Sequence, residues 1–228
     1  MLVLDDLAVR YPGEPRPVFA GLTLTAHARL TTGVHAPSGS GKTTLLKTAA
    51  LLLAPEHGNV TLDGSAVNGA GYAVPRDVRR KVGIVFQSPR SSTDGRLTLR
   101  QIICAPLSHD RGRLRPRHKD TAELVAQLTE QVQLSDDLLD RLPHQVSDGQ
   151  LQRACLARAL ALDPKVLICD EPTAMLDAPT TAVIMRLLRA HADAGAAVLV
   201  ASHDLPLLDA TCDHAASLAE LQSGDEVT

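Results

Sequence analysis

The sequence predicts an α/β fold with a mostly parallel sheet, an N-terminal antiparallel β region and an inserted helical subdomain. Uninterrupted apolar strands, such as residues 166–169 and 197–201, alternate with helical segments. This alternation is typical of a parallel sheet that helices cover on both faces. In a block over residues 88–147, strand patterns give way to helical ones. At 228 residues the chain is long enough for one such domain.

The first part of the chain is predicted to consist mainly of strands. Residues 2–11 alternate loosely between apolar and polar side chains and end at Pro12 and Gly13, a turn signal. Residues 42–53 form a predicted helix, which Pro55 closes. The remaining predicted elements are strands over residues 18–27, 30–34, 59–62 and 82–86, and a helical turn over 75–80.

The second part of the sequence predicts a block of helices, followed by strands that again alternate with helices. In the inserted block Leu124, Leu128 and Val132 fall close to one helical face. The predicted elements are helices over 99–106, 119–132 and 151–162, a strand over 166–169, a helix after Pro179, a strand over 197–201 and a helix over 206–212. We therefore predict a core of residues 1–87 and 148–228, with residues 88–147 as the helical subdomain.

Composition argues against several classes of protein. A net charge of −3 is not the basic excess that nucleic-acid binding usually needs, and the basic run over residues 111–119 is expected to be a solvated loop or helix start. No two of the four cysteines have the spacing of a zinc or redox site. The longest apolar stretch, residues 45–54, is too short to span a bilayer.

Residues 36–43 read Ala-Pro-Ser-Gly-Ser-Gly-Lys-Thr and lie between a strand and a helix, which is the context of the P-loop pattern. Small residues let successive backbone N–H groups turn around phosphates, and the helix N-terminus adds its positive end. Ala36 replaces the usual first glycine, so the opening turn needs a φ angle that alanine can adopt. The alternative is a plain Gly/Ser loop that happens to precede a lysine.

Each residue of this loop has an expected role. Lys42 would reach the β- and γ-phosphates, and the Thr43 hydroxyl would hold Mg²⁺. The predicted nucleotide-binding residues here are Ser38, Gly39, Ser40, Gly41, Lys42, Thr43 and Thr44.

Two carboxylates, Asp170 and Glu171, follow the apolar strand over residues 166–169. The C-terminal tip of such a strand is where ligands bind in open α/β sheets. Asp170 could reach Mg²⁺, and Glu171 could accept a proton from an attacking water. The alternative is that both residues cap the turn at Pro172.

Residues 146–150, Val-Ser-Asp-Gly-Gln, resemble the signature motif of the ATP-binding cassette (ABC) family, which normally reads Leu-Ser-Gly-Gly-Gln. Four further residues in the expected order resemble the aromatic A-loop residue, the Q-loop glutamine, the D-loop aspartate and the switch histidine; these are Tyr11, Gln87, Asp177 and His203. The resemblance runs from about residue 2 to residue 213 and implies a P-loop NTPase core that hydrolyses ATP with Mg²⁺.

The resemblance also implies roles for these residues. Two cassettes would dimerise head to tail, with each ATP between the P-loop of one and the signature of the other. Glu171 would be the catalytic base, with His203 and Gln87 contacting the γ-phosphate, the water or Mg²⁺. The expected metal ligands are Thr43, Gln87 and Asp170. The other expected ATP contacts are Tyr11, stacked on adenine, Ser147, Gly149 and Gln150 from the partner's side, and Asp177, which would pass information across the dimer.

The expected partners follow from the same resemblance. The helical block would dock on separate permease subunits, and the second ATPase subunit would be a paralogue or another copy; no nucleic acid is expected. We therefore expect a cytoplasmic protein, peripheral on the inner face of the cell membrane. Residues 86–92, Asp94, 97–99 and 143–145 resemble the oligopeptide and nickel importer group, which implies peptide, nickel or a metal–chelator complex as cargo.

The rival class is a soluble ABC ATPase of translation or DNA repair. Repair members need a long coiled coil, and only 126 residues (44–169) separate Thr43 from Asp170. Translation members usually carry two cassettes in one chain.

Asp148 departs from the family motif because it replaces the first signature glycine. We expect its carboxylate to face a partner's ATP and to weaken this signature, which would suit a pair of non-identical cassettes. Ser147 and Gln150 also fit a capping box for a helix predicted to start at Leu151.

Overall fold

A computed structural model of the chain describes residues 1–37, 39–110, 112 and 121–223. Its N-terminal strands form an antiparallel sheet in the order β2-β1-β4-β5. These strands are β1 (Leu2–Val9), β2 (Phe19–Ala26), β4 (His57–Leu62) and β5 (Ser65–Ala66). In β1 the apolar side chains of Leu2, Leu4, Leu7 and Val9 are all fully buried, so one face of this sheet packs on the core.

The second sheet is parallel, with the order β6-β7-β8-β3-β9. Its strands are β3 (Thr31–His35), β6 (Val82–Val85), β7 (Val166–Asp170), β8 (Ala197–Ser202) and β9 (His214–Ser217). Every residue of β7 and β8 is buried, as expected of strands with helices on both faces. The predicted parallel sheet is confirmed, but β9 was not predicted because it is a short edge strand without an apolar run.

Eight α-helices lie within the part of the chain that the structure describes. They are α1 (Lys42–Ala49), α2 (Arg76–Arg79), α3 (Leu99–Asp110), α4 (Ala122–Gln131), α5 (Asp148–Leu160), α6 (Ala178–Asp193), α7 (Leu205–Thr211) and α8 (Glu220–Ser223). None of the described helices is both long and apolar enough to cross a membrane.

Three predicted helix boundaries were wrong. The first helix ends at Ala49 because Leu51 adopts a left-handed φ of 61°. Helix α3 continues through Pro106 to Asp110, and α5 begins at Asp148 because Ser147 caps it. The basic run over residues 111–119 and the helix start predicted at 119 lie outside the described residues, apart from Gly112.

The parallel sheet separates two hydrophobic clusters. Ile168 of β7 belongs to the cluster that joins the antiparallel sheet and α1. Its neighbours Leu167 and Cys169 point to the opposite cluster, which contains α3, α4 and α5. This alternation is the period-two pattern of a strand buried on both faces. The helical block therefore packs onto the core through α5. That residues 88–147 form a separate subdomain stays a prediction.

The topology brings four loops to one edge of the parallel sheet. His35 of β3 is paired with Ser202 of β8, and Asp170 of β7 with Ala201. Because parallel strands share a direction, the loops after β3, β6, β7 and β8 leave the sheet at the same edge. These are the loops that carry the P-loop, Gln87, Glu171 and His203.

Candidate active site

The P-loop turns on its glycines. Among its described residues the positive φ angles are those of Gly39 (79°) and Gly41 (107°), so Ala36 keeps a φ that alanine can adopt, as predicted. Gly41 is the N-cap of α1, and a Cβ there would lie 2.8 Å from Val18 Cγ1. The backbone is thus fixed by both conformation and close packing. Ser38 lies outside the described residues.

A cavity of about 580 Å³ opens above this loop. Its lining consists of Val18, Gly39, Gly41, Lys42, Thr43, Thr44, Gln87, Asp170, Glu171 and His203. The Lys42 Nζ donates a hydrogen bond to the Ala36 carbonyl at 2.5 Å and lies 3.5 Å from Glu171 Oε1. The Lys42 ammonium therefore lies between the P-loop and the carboxylate of Glu171, the residue that directly follows β7.

Asp170 and Thr43 form the oxygen-rich side of the cavity. The Thr43 hydroxyl donates to Asp170 Oδ2 at 3.1 Å. Burial raises the pKa of Asp170, and the charge of Glu171 adds to this, while the Thr43 hydrogen bond and the charge of Lys42 oppose it. A hydroxyl and a carboxylate are ligands that Mg²⁺ accepts, and a bound cation would favour the ionised carboxylate. The donor set therefore fits the metal that the sequence predicts.

Glu171 is held in a strained position. Its φ angle is 49°, its backbone N–H donates to the Ala201 carbonyl at 2.9 Å, and the residue is only 4% exposed. Its Oε2 accepts from the Ser202 hydroxyl at 3.0 Å, and its Oε1 accepts from the His203 backbone N–H at 2.9 Å. A left-handed non-glycine residue costs about 1–3 kcal/mol and occurs most often at functional sites. Several contacts therefore fix this carboxylate at the strand tip.

His203 and Gln87 also line this cavity, and Tyr11 lies beside it. His203 Nδ1 lies 2.8 Å from Glu171 Oε1, although the ring is 70% exposed. Gln87 is exposed at the cavity, and the Tyr11 hydroxyl lies 3.2 Å from Thr44 Oγ1. The structure thus places Gln87 and His203 in the lining of the same cavity as the P-loop, and Tyr11 in contact with Thr44. A second cavity, of about 930 Å³, adjoins Glu171 and His203 on the side of α6 and α7.

The predicted signature residues lie elsewhere in the chain. Among the described residues that line the 580 Å³ cavity, none comes from residues 146–150. Ser147 caps α5: its Oγ accepts from the Gln150 N–H at 3.2 Å, and its own N–H donates to Gln150 Oε1 at 2.9 Å. The predicted capping box is therefore confirmed, although the helix begins three residues earlier than predicted.

Close packing explains the glycine at position 149, and helix capping explains the aspartate at position 177. A Cβ on Gly149 would lie 2.8 Å from the Met175 carbonyl oxygen, so only glycine fits between α5 and residues 174–177. Asp177 caps α6 by accepting from the Thr180 N–H at 2.8 Å. Hydrogen bonding to the side chain and then to the backbone of Thr180 lowers the pKa of its carboxyl.

A family profile described as ABC transporter matches residues 19–174. The chain belongs to the ABC transporter family. The nickel import ATP-binding protein NikE of Shigella boydii serotype 4 (strain Sb227) is 34% identical over 222 residues, which cover 94% of this chain and 82% of the relative. The protein of the same name from Escherichia coli (strain K12) is 35% identical over 200 residues, covering 87% and 74%.

Solved structures agree with the family assignment. The dimeric post-hydrolysis state of the ATP-binding cassette MJ0796 bound to ADP and Pi aligns with a TM-score of 0.85 at 26% identity, covering 95% of this chain and 94% of that one. The predicted resemblance and the P-loop NTPase fold are thereby confirmed. This ABC ATPase hydrolyses ATP and uses Mg²⁺. The rival class of soluble translation or repair ATPases is not favoured.

Sequence reasoning missed the partner of Asp148, which is Arg90. Arg90 Nε lies 2.6 Å from Asp148 Oδ1, so the carboxylate that departs from the family motif has a cationic partner within the same chain. The expectation that Asp148 weakens the signature did not take this arginine into account. The sequence contains two signals for this pair: an acidic residue in place of the motif's glycine, and an arginine three residues after Gln87. Only the fold shows that the two side chains meet.

Proposed function

We propose that this ABC ATPase powers an importer whose permease subunits are separate chains and whose cargo is nickel, a metal–chelator complex or a peptide. The nickel import ATP-binding proteins that match over 94% and 87% of this chain support the first of these cargoes. In this arrangement the chain works at the inner, cytoplasmic face of the cell membrane, without nucleic acid.

The observation that carries the proposal is the convergence of Lys42, the Thr43–Asp170 pair and Glu171 on one cavity. Lys42 exchanges its contact with Glu171 for the β- and γ-phosphates. Thr43 and Asp170, with the amide oxygen of Gln87, would hold Mg²⁺, which would offset the negative charge of the phosphates during hydrolysis. The other predicted nucleotide-binding residues of this segment supply N–H groups and hydroxyls to the phosphate oxygens; these are Ser38, Gly39, Ser40, Gly41 and Thr44.

Glu171 then acts as the general base. Its carboxylate accepts a proton from the water that attacks the γ-phosphorus. The Ser202 hydroxyl and the His203 N–H donate hydrogen bonds to this carboxylate. These bonds fix its orientation, which supports a role as the base. The His203 ring, exposed at the cavity, contacts the γ-phosphate, and Tyr11 stacks on the adenine ring.

A second cassette completes each site. The Ser147 Oγ uses a lone pair to cap α5, so its O–H remains able to donate to the γ-phosphate held by the other P-loop. Gly149 and Gln150 add donors beside it, and Asp177 lies next to the packing contact between Gly149 and Met175. The position of the signature residues outside this chain's own cavity supports such a head-to-tail pair. The helical block over residues 88–147 docks on the permeases.

Uptake measurements test the proposal. Cells that lack the chain are complemented with the wild-type protein or with Glu171→Gln, and uptake of radioactive nickel and of a labelled oligopeptide is followed. Nickel uptake restored by the wild-type protein alone is the expected result, with peptide uptake unchanged. Restoration of peptide uptake instead would assign the peptide cargo. If neither uptake depends on the chain, free nickel and peptide are excluded as cargo, and uptake of nickel presented with a chelator is measured next. If that uptake is also independent of the chain, the importer assignment is wrong.

A further inference from the structure

Arg90 contacts the signature motif (residues 146–150) and the turn before it at three points. Its Nη1 donates to the Pro143 carbonyl at 2.9 Å, its Nη2 donates to the Val146 carbonyl at 3.1 Å, and its Nε lies 2.6 Å from Asp148 Oδ1. The planar guanidinium is suited to such a fork of contacts, which a lysine could not reproduce. The turn that precedes α5 and the first residue of α5 are thus held by one side chain.

This side chain belongs to the segment that carries Gln87. The segment over residues 86–93 is attached to α5 at two further positions: the Gln152 amide donates to the Phe86 carbonyl at 3.4 Å, and Arg158 Nη1 donates to the Ser92 carbonyl at 2.7 Å. Arg90 lies between them and is the contact closest to Ser147. The loop of one predicted ATP site and the signature of the other are therefore attached to the same helix.

The ion pair with Arg90 offsets the charge of Asp148 on its shielded side. Oδ1 of Asp148 is shielded from solvent and makes no hydrogen bond of good geometry with any described residue, so the ion pair with Arg90 is its compensation. The two side chains are about half exposed, at 44% and 46%. Without the arginine, the carboxylate would lie uncompensated two residues before Gln150, on the segment that meets a second nucleotide.

We propose that Arg90 is a positioning residue for the signature. It holds residues 143–148 against the Gln87 segment and offsets the charge of Asp148, so that Ser147 and Gly149 can receive the phosphates of the partner's ATP. This inference rests on the proposed function, because only a composite site uses the signature. It also revises the expectation for Asp148: the substitution of glycine by aspartate is compensated within the chain.

A double-mutant cycle tests the proposal. The full chain, in whichever assembly hydrolyses ATP, is prepared as Arg90→Met, Asp148→Gly and the combination, with Arg96→Met as the matched control. Arg96 lies in the neighbouring turn but pairs with Asp94 at the surface, away from the signature. Two quantities are measured: the ATP concentration for half-maximal hydrolysis, and the affinity of the P-loop for a fluorescent ATP analogue in the isolated chain.

Arg90→Met is expected to raise the half-saturating ATP concentration by about 3- to 30-fold, the range for losing a charge pair and its hydrogen bonds. The analogue's affinity for the isolated chain should change by less than about twofold, because Arg90 does not touch that cavity. Adding Asp148→Gly should recover at least half of the loss on a logarithmic scale, whereas Asp148→Gly alone and Arg96→Met should have small effects.

Three results would overturn the inference: an unchanged half-saturating concentration in Arg90→Met, an effect that Asp148→Gly does not relieve, or an equal loss of analogue affinity. Arg90→Lys provides a further check, since it keeps the charge but cannot span both carbonyls and should give an intermediate loss. If the proposed two-cassette site itself were wrong, hydrolysis by the protein with Arg90 intact would not depend on Ser147. That result would contradict the proposed function, and it can be told apart from a failure of the role given to Arg90.

Discussion

At the scale of single residues, the site depends on two adjacent carboxylates in different surroundings. Asp170 is buried at the end of β7 with the Thr43 hydroxyl, and burial raises the pKa of its carboxyl. Glu171, one residue later, accepts hydrogen bonds from Ser202 and His203. The left-handed φ of Glu171 turns its side chain away from the direction that a regular strand would give it. The backbone therefore directs the proposed metal ligand and the proposed base differently.

Glu171→Gln should retain ATP binding and slow hydrolysis by about 10²–10⁴-fold, the usual contribution of a general base. Lys42→Ala should instead abolish binding, because the ammonium at the β- and γ-phosphates is removed. Equilibrium binding of a fluorescent ATP analogue and release of phosphate measure the two effects. Near-normal turnover in Glu171→Gln would remove this residue from the role of base.

Asp170→Asn should separate stability from activity. Since the pKa of Asp170 is raised in the folded protein, the native state holds this proton more tightly than the unfolded state does. Its contribution to stability is therefore greatest below the unfolded pKa and declines as pH rises through the folded pKa. Asparagine removes that cost, so at pH 7 and without Mg²⁺ we expect the free energy of unfolding to rise.

Hydrolysis should be lost in the same variant, because the amide is a poorer ligand for Mg²⁺. Thermal unfolding at pH 7, with and without Mg²⁺, measures the first effect and phosphate release the second. A marked loss of stability would show that the ionised carboxylate is favourable where it lies.

At the scale of elements, the first turn of α5 combines a cap with a predicted phosphate contact. Ser147 accepts the N–H of Gln150 and retains its own proton. Ser147→Ala should destabilise the protein by about 1 kcal/mol, the usual value of an N-cap. Ser147→Asp keeps a good capping group but removes the donor and adds a negative charge. It should unfold like the wild type in denaturant yet lose ATP hydrolysis; full activity in this variant would mean that Ser147 serves only as a cap.

Elements with strong local signals were predictable from the sequence, and those set by tertiary contacts were not. The buried strands β7 and β8 and the capping box at Ser147 were visible in the residues themselves. The edge strand β9 has no apolar run, and it pairs with β3 only because the chain passes there after α7. The contact between Arg90 and Asp148 spans 58 residues of sequence, so no local pattern could reveal it.

At the scale of the whole molecule, the chain carries both halves of the proposed composite site but does not bring them together. The P-loop residues and Glu171 line the cavity, whereas Ser147 and Gly149 lie outside its lining. The isolated chain should therefore be largely monomeric without nucleotide. With Glu171→Gln and MgATP it should associate with itself or with a paralogue, as measured by sedimentation velocity. A stable nucleotide-free dimer that buries Ser147 away from any P-loop would contradict this arrangement.

The position of the parallel sheet between two hydrophobic clusters affects how the chain unfolds. Ile168 belongs to one cluster, and its neighbours Leu167 and Cys169 belong to the other. Disorder in either cluster therefore removes half of the packing of β7. The amide protons of β7 should exchange only through global opening, whereas those of α4 at the periphery can exchange through smaller fluctuations. Such a gradient would let the helical block move while the strand that carries Asp170 and Glu171 remains ordered.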